Sequence, residues 1–118
     1  MRGSSRAAVH EGRQSFETAL MSGDPAVVSD ELFAVTALLD DNATLRRSVA
    51  DPSREGKDKS ELVTRLLHGK VSNETVGIAS VLVAQRWAQE RDLTDTFERF
   101  AVEAALKGAE GGGVIDQV

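Results

Sequence analysis

Thr75-Val-Gly-Ile-Ala-Ser-Val-Leu-Val-Ala-Gln85 is a run of eleven residues without a charge, in a chain that is otherwise well charged. Eight of the twelve residues at 76–87 are apolar, and at helical spacing they fall on every side of the helix. Such a helix has to be covered all round, and it is too short for a bilayer, which takes about 20 apolar residues. The run predicts a central helix that is either wrapped by a small domain or left partly open to a partner.

Residues that begin and end helices recur along the rest of the chain. Asp24-Pro25 supplies an N-cap and a first-turn proline for a second helix. Asn42 caps a third helix, which Asp51-Pro52 ends because a residue before proline avoids the helical region. Gly69 occupies the left-handed position after a fourth helix, and Ser72 or Asn73 caps the fifth. With no strand-like alternation anywhere, the predicted fold class is all-α, a six-helix bundle.

The remaining boundaries follow from the apolar periodicity. The first helix is predicted at about residues 5–20, the fourth from near Ser53, and the sixth from an Asp92 N-cap to Lys107-Gly108. Gly111-Gly112-Gly113 breaks a helix. The prediction is therefore a helical-bundle domain at residues 5–107, followed at 108–118 by a flexible tail that leads to a C-terminal domain outside this sequence.

Composition argues against most kinds of chemistry. The net charge of −5 disfavours nucleic-acid binding, and without cysteine there is no thiolate for catalysis or for a metal site. His10 and His68, the only histidines, fall on separate predicted helices. No glycine-rich turn follows a strand. We therefore expect no catalytic residue, no metal, no cofactor and no insertion into a membrane.

The first predicted helix carries a stripe made only of small residues, at spacing i, i+3, i+7, i+10 and i+14. Its members are Ser5, Ala8, Gly12, Ser15 and Ala19. Such a stripe lets another helix approach closely. That helix is either the fifth helix of the same domain, in internal packing, or a partner helix that uses the stripe as the floor of a groove.

The fifth helix offers a candidate wall beside that floor. If Ala79, Leu82 and Arg86 face inward, a second stripe faces outward and is largely apolar. It consists of Val76, Ser80, Val83 and Trp87, flanked by Ile78 and Val81. A floor of small residues beside an apolar wall suits an amphipathic helix, although full burial of the same residues explains the pattern too.

The order of these weak motifs resembles a known family. The residues that carry the resemblance are Leu38-Leu39, Asn42, Leu45, Arg47, Asp51-Pro52, Lys59, Leu62, Leu66-Leu67, Val71, Leu82, Arg86-Trp87, Arg91-Asp92-Leu93, Phe97-Glu98 and Phe100. Together they resemble the N-terminal domain of the delta subunit of rotary ATP synthase, the oligomycin-sensitivity-conferring protein family. Gln85-Arg86-Trp87 and Arg91-Asp92-Leu93 resemble its actinobacterial branch. So does Arg2-Gly3-Ser4-Ser5-Arg6, which in that branch can follow a stalk helix fused to the same chain.

The resemblance implies a mechanical role in ATP synthesis. A six-helix bundle of this family sits on the catalytic head, and its first and fifth helices form a groove for the N-terminal helix of an alpha subunit. The groove positions carry over most directly to Ala8 and to Val81 or Val83. A second domain joins the b subunit of the peripheral stalk, on the cytoplasmic face of the plasma membrane. The alternative from the residues alone is an unrelated all-α adaptor module that binds other proteins.

Overall fold

A computed structural model describes residues 2–111 and contains six α-helices. They are α1 (Gly3–Ser22), α2 (Pro25–Asp41), α3 (Ala43–Ala50), α4 (Gly56–Leu67), α5 (Asn73–Ala84) and α6 (Glu90–Gly111). No strand is present in this part of the chain, only an isolated bridge between His68 and Val71. The all-α, six-helix prediction is confirmed. Residues 112–118, where most of the predicted tail falls, lie outside the described residues.

The uncharged run forms the centre of the bundle. It lies between α1 and α4 and also contacts the pair formed by α2 and α6, which pack closely along each other. One broad side of α5 is fully buried, through Thr75, Ile78, Ala79, Leu82 and Val83. Its opposite side is only half-buried. The run is therefore wrapped on one side by its own domain and left accessible on the other.

The capping predictions for α2, α3 and α4 are confirmed. The Ala26 amide donates to Asp24 Oδ1 over 3.0 Å, and the Leu45 amide donates to Asn42 Oδ1 over 3.1 Å. Each bond satisfies an amide that the first turn of a helix leaves without a partner. Gly69 has a φ of 80°, in the left-handed region that favours glycine, and turns the chain after α4.

The predicted start of α4 at Ser53 was wrong, because α4 begins at Gly56. The cause is a local turn that competes with the helix. Asp51 Oδ1 accepts hydrogen bonds from the Ser53 amide (2.8 Å) and from Ser53 Oγ (2.7 Å). Short polar side chains of this kind often bind the backbone two residues on and hold it in a turn.

Both predicted ends of α6 were also wrong. The helix begins at Glu90, so Asp92 lies within its first turn, where it accepts a hydrogen bond from Ser5 Oγ over 2.8 Å. At the other end α6 continues beyond Gly108 to Gly111. A β-carbon added at Gly108 would lie 3.3 Å from the Ala26 backbone nitrogen. Gly108 therefore lets α6 pack closely against the start of α2, whereas the sequence alone indicated that α6 would end at this glycine.

The start of α5 is fixed by an acid from another helix. Glu31 on α2 accepts hydrogen bonds from the Ser72 amide (2.8 Å), Ser72 Oγ (2.6 Å) and Thr75 Oγ1 (2.7 Å). Burial on its own raises the pKa of Glu31, but the hydrogen bonds from Ser72 and Thr75 together outweigh it, so this pKa lies below its usual range. Ser72, confirmed as the N-cap of α5, is thereby tied to α2.

This pKa shift predicts a stability difference that depends on pH. Because the pKa of Glu31 is lower in the folded state, its contribution is complete above the ordinary carboxyl pKa of about 4.3 and is lost as the pH falls through the folded value. Glu31→Gln should lower the free energy of unfolding by about 1–2 kcal/mol at pH 7. The gap from the parent should close toward pH 3. Urea unfolding at several pH values measures this, with exposed Asp30→Asn as the control. A gap of constant size at every pH would contradict the assignment.

Substitution by alanine at two helical glycines should change the free energy of unfolding in opposite directions. A β-carbon at Gly56 would lie 2.4 Å from the Ala84 carbonyl oxygen, whereas one at Gly77 would meet nothing within 4 Å. Gly56→Ala forces the start of α4 away from the end of α5 and should cost about 1–3 kcal/mol. Gly77→Ala should stabilise the protein by about 0.5–1 kcal/mol through its helix propensity. Thermal melting of both variants makes the comparison, and a stabilised Gly56→Ala protein would show that this contact is not close.

Candidate partner-binding surface

The eleven residues predicted to line a partner groove divide into two groups. Seven are buried inside the bundle: Ser5, Ala8, Gly12, Ala19, Ile78, Val83 and Trp87. Four are half-buried: Ser15, Val76, Ser80 and Val81. The first group cannot contact a partner unless helices separate. Whether a partner helix binds between α1 and α5 stays a prediction, and the second group is where such a partner has access.

The stripe of small residues on α1 packs against α5. A β-carbon at Gly12 would lie 2.2 Å from Leu82 Cδ2, and Ala8 is 1% exposed. Of the two interpretations of this stripe, the structure shows internal packing rather than an open floor. The physical reason is that α5 has an apolar side and needs a neighbour that can approach it closely.

Ser5 joins the start of α1 to two other segments. Its hydroxyl donates to Asp92 Oδ2 on α6 and accepts from the Ala88 amide, each over 2.8 Å. Both bonds are made by a side chain that is 0% exposed. The hydroxyl proton is therefore used within the bundle, and burial keeps Ser5 from contact with a partner.

The predicted wall on α5 is buried where its side chains are large. Ile78 and Val83 are 0% exposed, and Trp87 is 2% exposed. Trp87 lies beyond the helix, and its indole Nε1 donates to the Leu82 carbonyl oxygen over 2.8 Å, so this carbonyl in the last turn of α5 accepts from both the indole and the Gln85 amide. Arg86, expected to face inward, is exposed instead because α5 ends at Ala84.

Three contacts define how α1 lies on α5. The Gly23 position meets the Glu74 side chain, the Gly12 position meets Leu82, and Ser5 bonds to Ala88. Residue numbers rise along α1 as they fall along α5, so the two helices are antiparallel.

The accessible part of this pair lies on one side. Glu74, Gly77, Val81 and Ala84 follow one another at spacings of three and four, so they share a strip of α5, and Glu74 places that strip beside α1. On α1, Arg13 pairs with Glu103 of α6 over 3.1 Å, which places α6 on that flank. Ser15 lies on the other flank, toward the strip. We call Ser15, Gly77, Val81 and Ala84 the outer α1–α5 surface.

The outer α1–α5 surface is built from small or apolar half-buried side chains. Helical spacing places Glu11 on the same flank of α1 as Ser15, and Glu74 borders Gly77 on α5. Nothing lies within 4 Å of a β-carbon at Gly77, so the surface is open there. Its chemistry suits an amphipathic helix that brings large apolar side chains and basic flanking residues.

This surface could be predicted only in part. Of its four residues, Ser15 and Val81 were expected, but Gly77 and Ala84 were missed; Ser80, also expected to face a partner, is half-buried beside these four. The signal that could have found Gly77 and Ala84 is their spacing of four and three residues from Val81 within the uncharged run. Val76 was expected there too, and its side chain instead packs on the edge of the core.

Residues 2–111 give little evidence for a metal site or for a membrane-spanning helix. This range holds no group of three or more His, Asp or Glu side chains placed to bind a metal ion. His10 and His68 are both exposed, one on α1 and the other just after α4. The same range contains no helix with the length and apolarity needed to cross a bilayer.

The fold and the outer α1–α5 surface define the class of this protein. It is an all-α bundle whose first and fifth helices pack closely and leave one side of the pair accessible to solvent. Residues 15–108 match the family model described as ATP synthase delta (OSCP) subunit. The chain is 43% identical over 120 residues to the ATP synthase subunit delta of Streptomyces griseus, an alignment that covers 100% of this chain and 44% of that protein. It is 47% identical over 85 residues to that of Renibacterium salmoninarum, covering 72% of this chain and 31% of that protein.

The chain therefore belongs to the ATP synthase delta (OSCP) subunit family. The resemblance inferred from its sequence is confirmed, and its similarity to actinobacterial members extends over the whole chain. It spans less than half the length of these curated relatives.

Two substitutions on α1 test which side of the helix is buried. Ala8→Asp places a carboxylate without a partner inside the α1–α5 contact and should destabilise the protein by about 3–5 kcal/mol. Ser15→Asp adds the same charge on the half-buried flank and should change stability by less than about 1 kcal/mol. Thermal melting separates the two variants. Equal melting temperatures would mean that Ala8 is accessible and would restore the small stripe as an open floor.

Proposed function

We propose that this chain is the N-terminal, alpha-binding domain of a delta subunit in the peripheral stalk of a rotary ATP synthase. Its role is mechanical and non-catalytic: it holds the catalytic head still while the rotor turns. Family membership over the whole chain is the observation that carries the proposal. The accessible flank of the first and fifth helices supports it, because that is where a docking helix needs space.

The partner in this proposal is the N-terminal helix of an alpha subunit. It binds on the outer α1–α5 surface and not in the buried stripe of Ser5, Ala8 and Gly12. Large apolar side chains of the partner fill the space above Gly77 and beside Val81, and its basic groups face Glu11 and Glu74. The small side chains on this surface let the partner approach close to the α5 backbone.

The rest of the assembly follows from the same proposal. A second domain of the delta subunit, outside this sequence, joins the b subunit of the peripheral stalk. The domain is then a peripheral component on the cytoplasmic face of the plasma membrane, held there through the complex. The alternative, an all-α adaptor with another partner, uses the same fold but does not require binding to an alpha subunit.

Gly77 offers a direct test of the docking surface. A β-carbon there meets nothing within 4 Å and the position is half-buried on the open side of α5, so Gly77→Arg should fold with equal or greater stability. The added guanidinium extends into the space the partner helix needs. Titration calorimetry with a peptide corresponding to the N-terminal helix of an alpha subunit should show binding to the parent chain. Gly77→Arg should weaken that binding by on the order of a hundredfold, about 3 kcal/mol.

Ala34→Arg is the matched control. Ala34 is a small, exposed helical residue on α2 that is not part of the outer α1–α5 surface, so its variant should bind the peptide as the parent does. A peptide that fails to bind the parent would favour the adaptor alternative. A peptide that binds the parent and Gly77→Arg equally would keep the alpha-subunit partner but move it to another surface.

A further inference from the structure

A cleft of about 320 Å³ opens where the start of α4 meets the end of α5, and Ala84, the last residue of the outer α1–α5 surface, forms part of its wall. Three cationic side chains contribute to its walls, and they come from three separate parts of the chain. Arg54 precedes α4, Lys59 lies in its first half, and Arg86 follows α5. The fold therefore brings three positive charges to one cleft, in a protein whose net charge is −5.

Lys59 is unusual among them because it is almost wholly inside the protein. The side chain is 1% exposed, and its Nζ donates to the Gln85 carbonyl oxygen over 3.0 Å. Burial lowers the pKa of Lys59; nearby Asp51 partly opposes this, and Arg54 and Arg86 lower the pKa further. A buried ammonium group with guanidinium neighbours is stabilised by a negative charge placed among them.

One of the residues that line the cleft, Glu55, is an acid, and its side chain is exposed. Asp51 lies near Lys59 without lining the cleft, and its Oδ1 accepts from the Ser53 amide and hydroxyl, which holds the turn before α4. Arg54 donates to Ser48 Oγ through one terminal nitrogen, and the guanidinium has further N–H groups to offer.

We propose that this cleft binds an oxyanion through the guanidinium groups of Arg54 and Arg86, with the buried ammonium of Lys59 behind them. Guanidinium groups match the two oxygens of a carboxylate or phosphate group with paired hydrogen bonds. Free phosphate and a carboxylate side chain of a partner protein share this chemistry. Ala84 borders both the cleft and the outer α1–α5 surface, but the three cationic residues belong to the cleft alone, so this inference does not depend on the alpha-subunit proposal.

Amide NMR of the chain tests this with two probes at constant pH and ionic strength. One probe is inorganic phosphate and the other is a blocked diglutamate peptide. At least one should produce saturable shifts of the Gly56, Lys59 and Arg86 amides. Saturation by phosphate identifies a free anion as the ligand, and saturation by the peptide alone identifies a carboxylate of a partner chain. Linear, non-saturating shifts with both probes would overturn the proposal.

Variants supply the second part of the test. Arg54→Gln combined with Arg86→Gln should weaken the saturable binding by on the order of tenfold or more. Arg65→Gln is the matched control, since Arg65 is an exposed arginine in the last turn of α4, outside the cleft. It should bind as the parent does. Unchanged binding by the double variant, once its melting temperature shows that it is folded, would also overturn the proposal.

Discussion

The close approach of α1 and α5 is the contact on which the rest of the structure depends. Gly12 allows Leu82 to occupy the space that a β-carbon would fill, and Ala8 continues the contact along α1. Since α5 is apolar around most of its circumference, it needs neighbours that cover it without large side chains holding them apart. Small residues on α1 meet that need on one flank, and Gly56 meets it on another by bringing α4 against the Ala84 backbone.

Polar side chains then fix the helices relative to one another. Ser5 ties α1 to α6 and to the preceding loop, and Glu31 ties α2 to the start of α5. Arg46 on α3 donates to the Glu90 carboxylate of α6 over 2.8 Å and to the Leu39 carbonyl oxygen at the end of α2 over 3.0 Å. Each of these side chains also binds a backbone group at or near a helix end, the Ala88 amide, the Ser72 amide or the Leu39 carbonyl, and so links one element to another.

The sequence predicted the helices well because caps and breakers act locally. Asp24-Pro25 and Asn42 determine their own boundaries, and Gly69 determines its own turn. It predicted the start of α4 poorly, since the Asp51 turn competes with helix formation, and it missed Glu31, whose capping role depends on a residue 41 positions away. The small stripe on α1 was noticed, but its partner was ambiguous, because the same spacing suits an internal helix or an external one. Only the three-dimensional arrangement decides between them.

Burial of the small stripe changes where recognition is to be sought. Had Ala8 and Gly12 remained open, the bundle would lack the contact that holds α1 in place. A partner helix would then have to stabilise the domain as well as bind to it. With the stripe packed internally, α1 and α5 form a fixed pair before any partner arrives. A rigid pair of helices loses little conformational entropy when a partner binds, so more of the contact free energy contributes to the affinity. That arrangement suits the proposed stator role, because a partner helix bound to a preformed surface transmits force without first reorganising the bundle.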